Sequence, residues 1–144
     1  MSQYFLLGDV TLWNPSNGVS ALFLRQTAGF EEVLDLPSGI GPMEEDEARV
    51  AADALAAFVG ALLAWRNSSN HAVLAALSDG FIATMLVLVE RAGAEVPWPA
   101  PHGSARASLH DVQVKVPPAT ADSGAGWTVR VREQARQLDL AMAR

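Results

Sequence analysis

Two short polar clusters hold most of the side chains that could do chemistry. The first is Trp13-Asn14-Pro15-Ser16-Asn17-Gly18. An aromatic followed by side-chain amides and a tight turn can form a recognition loop. The same residues are also what a strand-to-helix turn requires, with Trp13 in the core. The second cluster is Ser68-Ser69-Asn70-His71, which opens a long apolar segment. One reading makes it the floor of a pocket with His71 as proton donor or acceptor. The other makes it a helix cap followed by an exposed histidine. If the clusters converge, Trp13, Asn17, Asn70 and His71 line one cavity for a small molecule. No catalytic residue is assigned.

The remaining motifs exclude more than they suggest. Gly39-Ile40-Gly41 lacks the third glycine of a dinucleotide fingerprint, and the only lysine, Lys115, is in no phosphate-binding loop. Neither a nucleophile elbow nor a paired-histidine zinc helix is present. The chain has no cysteine, so thiolate metal sites and disulfides are absent. His102 and His110-Asp111 stand in loop-like sequence without further ligands at metal spacing. Glu44-Glu45-Asp46-Glu47 lacks the spaced aspartates and glycine of a calcium loop. No cofactor and no metal are expected.

The elements that must position these residues follow from pattern. Residues 4–7 and 10–13 are short β-type runs about Gly8-Asp9, which predicts an N-terminal hairpin with a type II′ turn. Ser16 or Asn17 caps a first helix ending near Asp35, with apolar positions at Leu22, Phe23, Phe30, Val33 and Leu34 and a weak point at Gly29. Residues 42–50 allow two readings. Pro42 could start a helix with the acidic run in its first turns. Alternatively, residues 47–50 form a short edge strand and Asp53 caps the next helix. Two helices follow, at 51–65 and 71–91, antiparallel across the four-residue interruption 67–70. Gly60 and Gly80 read as close-approach points between them. Residues 81–89 are apolar all round, so the second of the pair is the central element.

The composition changes at Gly93. Residues 96–108 and 117–126 read as linkers, and Val112, Val114 and Val116 alternate like a strand. From Trp127 an amphipathic helix carries Trp127, Val131, Leu138 and Met142 on one stripe. The expected fold is α+β and mostly helical, with an N-terminal β-hairpin, an antiparallel central helix pair, and a C-terminal strand and amphipathic helix. Residues 1–96 form a compact core. Residues 97–144 pack on that core or on a partner.

Charge and segment lengths narrow the setting. The 144 residues carry a net charge of −6. Residues 1–100 hold four arginines against twelve carboxylates, a net of −8, and the remainder six cations against four carboxylates, a net of +2. An acidic body repels phosphate, so no nucleic-acid partner is expected. The start, Met1-Ser2-Gln3-Tyr4-Phe5, is unlike a signal peptide, and no apolar run is long enough for a membrane span.

Trp13-Asn14-Pro15-Ser16-Asn17-Gly18, Pro37-Ser38-Gly39-Ile40-Gly41-Pro42-Met43 and Ser69-Asn70-His71 resemble segments of a family of small uncharacterised actinomycete proteins, over roughly the first two thirds of the chain. The resemblance implies a bacterial cytoplasmic setting and no activity. Two functions stay open. One is a non-catalytic protein-binding module (immunity-like, regulatory or accessory) that offers Trp127, Val131, Leu138 and Met142 to a protein partner or to a second copy as a homodimer. The other is a small-molecule enzyme or ligand-binding protein built on Trp13, Asn17, Asn70 and His71.

Overall fold

The structure, a computed structural model, describes residues 1–100 and 126–144. Strands β1 (Tyr4–Leu7) and β2 (Val10–Trp13) form the expected hairpin. Gly8 supplies the positive φ of 57° at the first turn position, and Asp9 keeps an ordinary φ. A register shift between Phe5 and Leu6 brings Trp13 opposite Phe5, and the two rings stack with centroids 5.4 Å apart.

Helix α1 (Asn17–Leu34) passes unbroken through Gly29 and ends where Asp35 turns left-handed at φ 49°. Strands β3 (Ile40–Glu44) and β4 (Glu47–Val50) then form a second hairpin. Pro42 starts no helix; it lies in β3, an outer strand, where a missing N–H is tolerated. Residues 47–50 are a strand, as one reading had it, but an interior one. β4 pairs parallel with β1 and antiparallel with β3, in the order β2-β1-β4-β3. The turn between them uses Glu45 (φ 49°) and Asp46 (φ 67°), a left-handed pair without glycine. Tyr4 N–H donates to the Asp46 carbonyl at 2.8 Å, and Gln3 Nε2 donates to Asp46 Oδ1 at 3.2 Å, which holds the strained turn against β1.

Helices α2 (Ala52–Asn67) and α3 (Ala72–Arg91) are the expected antiparallel pair. Asp53 does not cap α2. Ala51 occupies that position and Asp53 sits in the first turn, where its charge still favours the helix dipole. The two glycines do not face each other's helix. A Cβ on Gly60 would meet the Pro97 ring at 3.4 Å, and one on Gly80 would meet only Gln134 Nε2 at 3.8 Å. The clearance at Gly60 admits the segment after α3, and Gly80 lies under the last helix. α3 is long and apolar enough to cross a membrane, and half of its most apolar stretch is buried in this fold.

Helix α4 (Gly126–Ala141) packs against α3. The expected strand at Val112, Val114 and Val116 lies outside the described residues, as do His102 and His110. The core joins Phe5, Leu12, Ala48 and Val50 of the sheet to the inner faces of the helices. A run of rings crosses it: Phe23 stands edge-on to Phe5 and Trp13, and Phe30 stacks on Phe81 at 4.5 Å and meets Trp65 edge-on at 5.8 Å. Each such pair contributes about 0.5–1.5 kcal/mol beyond burial and fixes how α1 lies across the helix pair.

Candidate functional site

The four residues expected to share a cavity are separated. Trp13 is in the core, with Phe5 and Phe23 around it. Asn17 is exposed at the first residue of α1, and Asn70 is exposed ahead of α3. His71 is the N-cap of α3, and its Nδ1 accepts from the backbone N–H of Val73 (3.2 Å) and Leu74 (3.3 Å). That bonding commits the Nδ1 lone pair to the helix start and leaves the ring in a structural role. The Trp13 loop shares a cavity with Thr84, thirteen residues along α3 from His71. At the rise of an α-helix this is about 20 Å. That cavity is lined by Trp13 but not by Asn17, Asn70 or His71.

The C-terminal stripe is also placed differently from the partner-facing expectation. Trp127 is 3% exposed, Val131 1% and Met142 8%, and Leu138 packs partly against the same core. Trp127 Nε1 donates to Asn67 Oδ1 at 3.1 Å, and the Arg66 guanidinium lies 4.7 Å from the Trp127 ring centroid. Arg66, itself 1% exposed, pairs with Asp79 at 2.6 Å. At the other end, Arg91 donates to the carbonyls of Leu12 (2.6 Å), Asp139 (2.9 Å) and Met142 (2.8 Å) and pairs with Asp139 Oδ1 at 2.7 Å. Arg91, with 5% of its side chain exposed, is a buried clasp between β2 and α4. The stripe therefore completes this chain's own core.

The apolar surface left over lies elsewhere. Val19, Leu22 and Val33 of α1 are exposed, Leu22 by 61%. With Gln26 and Gly29, both exposed, they repeat at steps of three and four along one outward line of the helix. Val19 shares the Trp13 cavity with Thr84, and Phe23 and Phe30 both meet Phe81, so α1 crosses α3 near residues 81–84. Toward the start of α3, Leu77 is 72% exposed and Val73 54% exposed. The cavity at the head of this line measures about 440 Å³ and is walled by Trp13, Pro15, Val19, Leu138 and Met142. Asn14 also lines it, and its Oδ1 is buried without a hydrogen-bond partner among the described residues.

Leu22 and Val33 are among the apolar positions from which the first helix is expected, yet both face outward. The signal for this is in the doublets Leu22-Phe23 and Val33-Leu34. Neighbours on a helix stand about 100° apart, so a helix lying on a core from one side cannot bury both. No group of three or more potential metal-ligating residues occurs among the described residues.

A model of DUF6086, a family of unknown function, matches residues 1–144. No curated protein and no solved structure matches the chain.

Proposed function

From the premise that this chain belongs to DUF6086 along its whole length, we propose that it is a non-catalytic protein-binding module of the bacterial cytoplasm, in an actinomycete host. Its contact surface is the outward line of α1, not the C-terminal stripe. The observation that carries this reading is the repeat of exposed Val19, Leu22, Gln26, Gly29 and Val33 at three- and four-residue steps. That spacing is the counter-face for one helix of a partner, whose apolar positions recur at the same steps. The occupant is an amphipathic helix with basic flanks, because residues 1–100 carry a net charge of −8. One tryptophan side chain of that helix enters the cavity beside Val19 as an anchor, and its indole N–H donates to the unpaired Asn14 Oδ1.

The test is capture from the native host with the full chain against Leu22→Asp/Val33→Asp. Both positions are exposed, so the double variant should keep its fold, with each change costing at most about 0.5 kcal/mol. A partner held by the parent, lost by the variant, and cross-linked through a photoreactive residue at position 22 supports the reading. Capture unaffected by the substitutions, or no partner with either chain, refutes it.

A further inference from the structure

We infer that the cleft between the end of α3, residues 92–98 and α4 is a binding site for a monocarboxylate with an apolar body. The cleft has a volume of about 320 Å³, at the lower end of the range seen for small-molecule pockets. Leu86, Val89, Val96 and Ala135 give it an apolar floor, and Trp98 forms one wall. That wall is held in place independently of any ligand. Pro97 packs over Gly60, where a Cβ would lie 3.4 Å from the ring, and Asn67 Nδ2 donates to the Ala100 carbonyl at 3.4 Å.

The charges at the mouth choose the ligand's head. The Arg132 guanidinium lies 3.9 Å from the centroid of the Trp98 ring. Stacking fixes the plane of the guanidinium while leaving its N–H edges outward, the arrangement that receives a carboxylate with two parallel hydrogen bonds. Arg132 has no carboxylate partner among the described residues. Arg136, one turn on along α4, lines the same cleft and pairs with Glu133 only at the exposed surface, at 3.1 Å. Glu90 is the single carboxylate among the described residues of the lining. It opposes an anion on its own side, so the head group belongs on the α4 side and the apolar body over Leu86 and Val89. The site is separate from the α1 surface, and neither depends on the other.

The experiment titrates the full chain with octanoate and with octan-1-ol, read by calorimetry and by Trp fluorescence. Octanoate should bind the parent. Arg132→Gln should weaken it about tenfold, the loss of a charge-assisted bond, while Glu90→Gln should tighten it. Octan-1-ol should respond to neither change, and Leu22→Asp should leave octanoate affinity as it was. Both substituted residues are exposed, and an unchanged urea midpoint shows that each variant is folded. No binding of octanoate, or equal affinity in the parent, Arg132→Gln and Glu90→Gln, overturns the proposal.

Discussion

Arg66 is the most demanding residue in the fold, because a charge 1% exposed must be balanced from within. Asp79 does this with contacts of 2.6 Å to Nε and 3.3 Å to Nη2, and the Ser69 carbonyl and the Trp127 face lie against the same guanidinium. Asp79→Ala takes this carboxylate away from a buried guanidinium. Breaking one side of a buried pair costs about 3–5 kcal/mol. Asp79 keeps 23% of its side chain in water, and Arg66 retains the carbonyl and the ring, which places the expected loss at the lower end, about 3 kcal/mol. Urea unfolding followed by tryptophan fluorescence measures it, and Trp127 reports on the site itself. The double variant Arg66→Met/Asp79→Leu removes both charges and should lose clearly less than Asp79→Ala alone, because the buried cation goes together with this carboxylate. A loss below about 1 kcal/mol for Asp79→Ala, or a double variant as unstable as the single, would refute the reasoning.

Two glycine substitutions should move stability in opposite directions. Gly39 has φ 78°, and a Cβ there would lie 2.7 Å from Leu55 N and 2.8 Å from Ala51 O, both backbone atoms at the start of α2. Gly39→Ala should therefore cost about 3 kcal/mol or more, seen as a lower urea midpoint; an unchanged midpoint would contradict the described turn. Gly80→Ala meets nothing closer than 3.8 Å and should stabilise by about 1 kcal/mol through helix propensity. A destabilised Gly80→Ala would restore the close-approach reading of that glycine.

The parts legible in the sequence are those that depend on neighbours in the chain. The first hairpin is legible because Gly8 meets a turn's need for positive φ, and the helix pair because the four residues from Ser68 to His71 interrupt two apolar runs. The second hairpin is hidden because its turn is made by Glu45 and Asp46, which bear the left-handed strain that glycine usually relieves. A run of four acidic residues also imitates a helix start. The parallel pairing of β1 with β4 spans more than forty residues and has no local signal. The candidate sites fail for the same reason. Polar residues ahead of α1 and ahead of α3 look alike in sequence, but the Trp13 loop meets α3 at Thr84, about 20 Å along the helix from His71. An amphipathic stripe such as Trp127, Val131, Leu138 and Met142 states that a face will be covered, not by which chain. The cleft at Trp98 was missed because its wall, floor and cations come from three separate stretches of sequence.

The Arg91 clasp has a consequence for how the molecule breathes. One side chain on the last turn of α3 holds the carbonyl of Leu12 on one side and those of Asp139 and Met142 on the other, while Asn14 N–H bonds to the Ala143 carbonyl at 2.9 Å. The last turn of α4 cannot lift away without loosening the end of β2, nor the reverse. Segments separated by more than a hundred residues of sequence thus belong to a single opening unit. Once corrected for their intrinsic exchange rates, their amide protons should report a common opening free energy, although helix ends and outer strands ordinarily fray independently.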